Sequence, residues 1–268
     1  MPRQAIRVDD KAEIERFVRR DPALHLYELG DLDPFFWPHT TWLGLRDERG
    51  ELSALALLYT GTTLPTLLAL GGPDGGARRD LVDAMLERLP SPIYAHLSPG
   101  LLGRFGSAWS AEPHGRHLKM VHRHRARLDD VDTEQVQPLH GEQLDEIQAF
   151  YARAYPGNWF DARMLQTGHY VGLWQAGSLV SVAGVHVFSP RYGVAALGNI
   201  TTAPECRGRG LARRVTAALC RGLYREVELI GLNVKADNVS AIACYERLGF
   251  ATIGEYDEVA LTRRPASA

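Results

Sequence analysis

Residues 207–213 read Arg-Gly-Arg-Gly-Leu-Ala-Arg, and the residue types and spacing in that run suit an anion site. Gly208 and Gly210 let the backbone turn tightly. From Leu211 onward apolar residues recur at Val215, Leu219 and Leu223, which is helical spacing. Ahead of the run, Ile200, Thr201 and Thr202 are β-branched and suit a strand, which Pro204 cannot continue, so the strand stops by Ala203. A helix starting at such a loop presents N–H groups without intrahelical partners, and its dipole adds partial positive charge beside Arg207, Arg209, Arg213 and Arg214. Taken alone, the run also fits a plain strand-to-helix connection with solvated arginines. The lysine-bearing phosphate loop is excluded because GxxxxGK[ST] is absent, and GxGxxG is excluded because Arg213 stands where its third glycine would fall.

A second segment has a similar build. Residues 227–234 alternate like a strand, Asp237 and Asn238 can cap a helix, and Gly249 suits the C-terminal cap of the helix that follows. Singly, Asn238 reads as a cap and Tyr245 as a buried aromatic. Together, the R-x-x-G-x-A pattern of Arg207, Gly210 and Ala212 and the N-x-x-A-x-x-x-Y-x-x-x-G-F pattern of Asn238, Ala241, Tyr245, Gly249 and Phe250 resemble the GCN5-related N-acetyltransferase (GNAT) family. The resemblance is specific over residues 190–256 and weak before them.

That resemblance implies acetyl-CoA as cosubstrate and acetyl transfer to a primary amine of a small molecule, amino acid or peptide, directly within a ternary complex. The backbone of Gly208, Arg209, Gly210, Leu211, Ala212 and Arg213 would hold the diphosphate, with the Arg207 and Arg213 side chains adding charge. In the family the strand before this loop and the next strand splay apart, and the pantetheine arm lies between them. Here those strands carry Asn199, Ile200, Thr201 and Thr202 on one side and Asn233 on the other, with Asn238 and Ala241 beyond. Tyr245 would be the general acid that protonates the departing thiolate. For the base, residues 192–199 offer no acid or histidine, which leaves His186, a water held by backbone carbonyls, or an amine that arrives neutral. Tyr155, Trp159, Asp161 and His169 are the expected lining of the acceptor pocket. A non-catalytic acyl-CoA sensor or assembly module, and an N-acyltransferase using longer acyl-CoA, are the alternatives.

Other features offer less chemistry. Cys244 neighbours Tyr245 on a helix and points elsewhere, so it reads as packing. His122 and His124 share a face of an expected strand over residues 118–127, but two ligands do not make a zinc site; no metal is expected, and the face reads as solvated. The glycines and arginines of residues 71–80 read as a Pro-Asp-Gly turn.

The elements that must position these groups fill a chain of 268 residues, long enough for two domains. With 45% hydrophobic and 23% charged residues the chain is of ordinary globular composition, and its net charge of −2 argues against nucleic-acid binding. Three cysteines without a CxxC pair fit a reducing cytoplasm, and neither a signal peptide nor a membrane span is read. A monomer or homodimer is expected. The first half reads as a strand at residues 6–8, a helix at 11–20, a hairpin of 42–45 and 52–59, a strand at 64–70, a helix at 81–89 and a strand at 93–97. The second half repeats that order, with Tyr170, Val171, Gly172 and Leu173 answering to Trp42, Leu43, Gly44 and Leu45. The expected architecture is α/β (α+β): two tandem GNAT-like units, each a mixed, mostly antiparallel sheet flanked by helices. Residues 1–128 form the degenerate unit and 129–268 the catalytic one, with the linker in residues 128–136.

Overall fold

A computed structural model describes residues 4–72 and 75–265. In chain order its elements are β1 (Ile6–Arg7), α1 (Lys11–Val18), α2 (Leu26–Gly30), β2 (Thr40–Arg46), β3 (Leu52–Tyr59), β4 (Thr66–Ala69), α3 (Gly76–Met85), β5 (Ile93–Leu97) and β6 (Trp109–His122). They continue with β7 (Gln137–Pro138), α4 (Leu144–Ala154), β8 (Val171–Gln175), β9 (Ser178–Ser189), β10 (Val194–Thr202), α5 (Leu211–Leu223), β11 (Leu229–Lys235), α6 (Val239–Leu248) and β12 (Phe250–Arg263). The chain forms two compact units. The first holds residues 1–119, 235–237 and 253–268, and the second holds 120–234 and 238–252. This grouping differs from a cut at residue 128, because residues 120–128 go with the second unit and the C-terminal strand returns to the first.

In the first unit the strand order is β1-β2-β3-β4-β5-β12-β6. β4 and β5 run parallel, while β1 to β4 and the β5–β12 pair are antiparallel. The alternating Leu43, Leu45, Ala54, Ala56 and Leu67 bury one face of the sheet with Leu81, Val82 and Met85 of α3. α3 begins at Gly76, so residues 76–80 are helical where a turn was expected. The Pro73-Asp74 part of that turn lies outside the described residues.

The second unit repeats the topology as β11-β10-β9-β8-β7, with β10 and β11 parallel and the others antiparallel. Corresponding glycines perform corresponding packing. A Cβ on Gly44 would come within 2.8 Å of Leu52, and one on Gly172 within 2.8 Å of Leu179. Leu211, Val215, Leu219 and Leu223 are all buried, and α5 packs on β8, β9 and β10 through this stripe. α4 buries Ile147, Phe150 and Tyr151 and packs on β9 and β10.

Two expectations are corrected by β6. It starts nine residues before the expected strand at 118, and it ends at His122, so His124 is outside it. His122 is buried rather than solvated; its two ring nitrogens lie 2.7 Å from the Tyr224 hydroxyl and 2.8 Å from the Leu248 carbonyl. Strand β12 and helix α2 have no counterpart in the sequence reading.

Candidate functional site

The parallel pairing of β10 with β11 runs from Val194↔Leu229 to Leu197↔Leu232 and stops there. Both strands continue, β10 to Thr202 and β11 to Lys235, so beyond Leu197 their facing edges are unpaired. The opening starts where β10 is distorted. Gly198 pairs with Gly184 and Thr201 with Val182, which leaves one extra residue on β10, and Asn199 adopts φ +54. One pair earlier the extra residue is on β9, where His186 falls between the partners of Ala196 and Leu197. The His186 ring lies on Gly198, where an added Cβ would be 2.2 Å from it.

A polar network holds the bulge. Asn199 is 5% exposed and donates from Nδ2 to the Tyr170 hydroxyl at 3.1 Å, while its carbonyl accepts from the Tyr151 hydroxyl at 2.7 Å. Tyr170 in turn donates to the Val185 carbonyl at 3.2 Å, over Gly184, whose Cβ would strike its ring. Burial pushes the hydroxyl pKa of Tyr151 and of Tyr170 upward, so both stay protonated donors. Phe160 fills the space between them, its ring centroid 5.2 Å from that of Tyr151 and 5.6 Å from that of Tyr170.

At the other end of the opening, Thr202 leads through a short turn into Arg207, Gly208, Arg209 and Gly210, all exposed. Gly208 and Gly210 adopt φ +75 and +76, and a Cβ on either would meet nothing within 4 Å, so left-handed backbone rather than packing requires glycine. Gly210 caps α5 without a side chain, and the first helical N–H to find a helix carbonyl is that of Arg214, on Gly210. The N–H groups of Leu211, Ala212 and Arg213 therefore lack intrahelical partners. Arg214 is held by Asp132 at 2.9 Å, whereas among the described residues Arg207 and Arg209 bond only the carbonyls of Thr202 and Glu205. Arg213 Nε is buried without a hydrogen-bond partner among the described residues, and so is Asn233 Oδ1 on β11.

Asn238 caps α6 by accepting from the Ala241 N–H at 3.2 Å, and Gly249 closes that helix at φ +101. Tyr245 is 8% exposed, packs edge-on against Phe250, and its hydroxyl makes no hydrogen bond with a described residue. Burial first, then Cys244 and the phenol of Tyr155, raise its pKa, which keeps it a proton donor. Burial likewise pushes the Cys244 thiol up, which disfavours a thiolate.

Of the expected acceptor lining, Tyr155 lies near Tyr245 and Tyr151, and Asp161 near Tyr170, in each case close enough to raise the neighbour's pKa. Asp161 also caps the turn at Ala162–Thr167 and pairs with Arg163 at 3.1 Å. Trp159 is 44% exposed. His169 is turned elsewhere, its ring 4.1 Å from that of Phe188 and its Nε2 3.3 Å from Glu226. Sequence reasoning missed Tyr151, Tyr170 and the bulge. The paired glycines 184 and 198 were the available signal, since each makes room for a ring.

Residues 134–250 match the model of the Acetyltransferase (GNAT) family. The chain thus carries a GNAT-family domain, and that domain spans both patterns on which the resemblance rests. No curated protein matches the chain. Solved structures share the fold. A Drosophila protein superposes with TM-score 0.70 at 12% identity, covering 97% of this chain and 99% of that one. A tandem GNAT protein from the clavulanic acid biosynthesis pathway gives 0.57 at 17%, covering 98% and 99%. A GNAT-family protein from Novosphingobium aromaticivorans gives 0.56 at 22%, covering 78% and 89%.

Proposed function

We propose that the protein is an acetyl-CoA-dependent N-acetyltransferase whose second unit moves an acetyl group directly to the primary amine of a small molecule, amino acid or peptide. The observation that carries this reading is the opening between β10 and β11, which has a bulge at one end and a glycine-arginine loop at the other. The buried, unfilled Arg213 Nε and Asn233 Oδ1 fit a ligand that supplies an anion and amide donors there. Bound acetyl-CoA supplies an activated thioester.

The chain's own residues do the rest. Unpartnered N–H groups at the start of α5 and the guanidinium groups of Arg207, Arg209 and Arg213 bind the diphosphate. The unpaired edge of residues 199–202 offers backbone groups to the pantetheine amides, and an N–H there polarises the thioester carbonyl. Asn238 keeps its Nδ2 for the same arm while Oδ1 caps α6. Tyr245, held protonated, gives its proton to the departing sulfur. His186, ring against Gly198, is the proposed base that relieves the amine of its proton, and Tyr155 and Asp161 line the approach. With both reactants held in line, orientation provides much of the acceleration and no covalent enzyme intermediate is required.

Thiol release from acetyl-CoA across amino acids, polyamines, aminoglycosides and peptide N-termini tests this. Amine-dependent release is expected. CoA binding without release from any amine would move the reading to a non-catalytic sensor.

A further inference from the structure

Within the second unit, helix α6 ends against the last residue of β6 and the turn after it, residues 122–127. The final carbonyls of a helix have no partners inside it. Here four donors from this short segment take the carbonyls of the last turn and its cap. The His122 ring gives its Nε2–H to the Leu248 carbonyl at 2.8 Å, and Arg127 reaches the Glu246 carbonyl at 2.7 Å. The N–H groups of Arg123 and His124 meet the Gly249 carbonyl at 2.9 and 3.3 Å. Tyr245 belongs to that same last turn, its carbonyl bonded by the Gly249 N–H. A Cβ on Gly249 would stand 2.7 Å from the His124 carbonyl oxygen, so the two segments fit closely.

Of this segment, His122 makes the most connections. A carbonyl only accepts, so Nε2 carries the ring's proton, and Nδ1 accepts from the Tyr224 hydroxyl at 2.7 Å. Burial lowers the pKa of the imidazole, which keeps that neutral form. Tyr224 closes α5, and the Arg125 guanidinium lies 3.8 Å over its ring. The His122 ring also meets Phe250 edge-on, with centroids 4.8 Å apart, and Phe250 meets Tyr245 in the same way at 5.9 Å. One buried ring therefore ties the end of α5, the helix that starts at the glycine-arginine loop, to the helical turn and the aromatic neighbour that hold Tyr245.

We infer that His122 is a positioning residue for proton transfer from Tyr245, acting through the Leu248 carbonyl and the Phe250 ring. This role rests on the transferase reading, so one readout is chosen that needs no turnover. His122→Leu removes both ring hydrogen bonds, whereas His122→Gln keeps an N–H for the Leu248 carbonyl. The leucine variant should lower kcat by about tenfold or more with calorimetric CoA affinity unchanged, because a displaced acid loses alignment and not the cofactor. Glutamine should recover most of that rate. In a Tyr245→Phe background His122→Leu should cost no further turnover, since both changes then act on one proton transfer. The readout without turnover is the NMR signal of the Tyr245 phenolic carbon, assigned by its loss in Tyr245→Phe. It should shift in His122→Leu and return in His122→Gln. If His122→Leu fails to fold, Tyr224→Phe takes its place, since it removes only the hydroxyl on Nδ1, and a smaller loss with the same dependence on Tyr245 is expected. A fall in kcat that persists in Tyr245→Phe, a fall in CoA affinity alone, or an unmoved Tyr245 signal would overturn the inference and leave His122 as packing. A wild type that releases no thiol while the Tyr245 signal still responds to His122→Leu would instead reject the transferase reading, and the placement of Tyr245 by His122 would stand.

Discussion

Asn199 shows how much of the site depends on single side chains. Its left-handed backbone is one that asparagine tolerates better than most residues, and its amide ties the bulge to Tyr170. Asn199→Gly and Asn199→Ala both lose that bond, but only alanine meets the backbone strain. Alanine should therefore lower stability by about 1 kcal/mol more than glycine, read from urea midpoints. Tyr245→Phe should reduce turnover about a hundredfold or more with CoA affinity unchanged, as removal of a general acid does. An unchanged rate would assign Tyr245 to packing. Because burial raises its pKa, the wild type should show no alkaline loss of turnover from this group up to about pH 10, where an ordinary tyrosine titrates. Tyr245 and Asn238 were legible because they stand at fixed spacing within one helix. Tyr151 and Tyr170 were not, since their meeting at Asn199 depends on strand pairing across residues far apart in sequence.

Elements were legible where one periodicity runs uninterrupted. The stripe at Leu211, Val215, Leu219 and Leu223 gives α5 its bounds, and Asn238 and Gly249 mark both ends of α6. The first part of β6 and the whole of β12 were hidden because long stretches of each alternate with exposed or charged residues and lie beside strands remote in sequence. The loop before α5 carries its own prediction. Nothing packs where a Gly208 Cβ would go, so Gly208→Ala should cost about 1 kcal/mol in backbone strain while weakening CoA binding, which calorimetry and thermal melts would separate.

At the scale of the whole molecule, the repeated topology had been readable as a faint repeat with the first unit as the degenerate copy, but the way the two sheet edges differ had not. In the first unit β4 and β5 stay paired to their last residues, Ala69↔Leu97, and the Ser98 N–H and side chain continue the closure onto Ala69 and Gly71. Arg78 occupies the space beside Gly71 and bonds the Gly72 carbonyl. That edge has no opening like the one past Leu197. The first unit also sets a pH dependence. Burial holds the His96 imidazole down to about 4 from 6.5, aided by Lys119 and His117 and opposed by Glu258. Its unfolded form takes up a proton first, so stability should fall as pH drops from 6.5 towards 4, and His96→Gln should flatten that fall in urea midpoints.

Among the described residues no helix is long and apolar enough to cross a membrane. Calorimetry of the wild type beside Gly210→Glu tests the central claim, because the new carboxylate competes for the start of α5 while favouring the helix itself. One CoA per wild-type chain, and none in a variant that still folds and melts lower only by the left-handed strain of about 1 kcal/mol that any side chain meets at position 210, is the result expected. Undiminished binding in Gly210→Glu, or two CoA per chain, would contradict the assignment of the cofactor to the opening between β10 and β11.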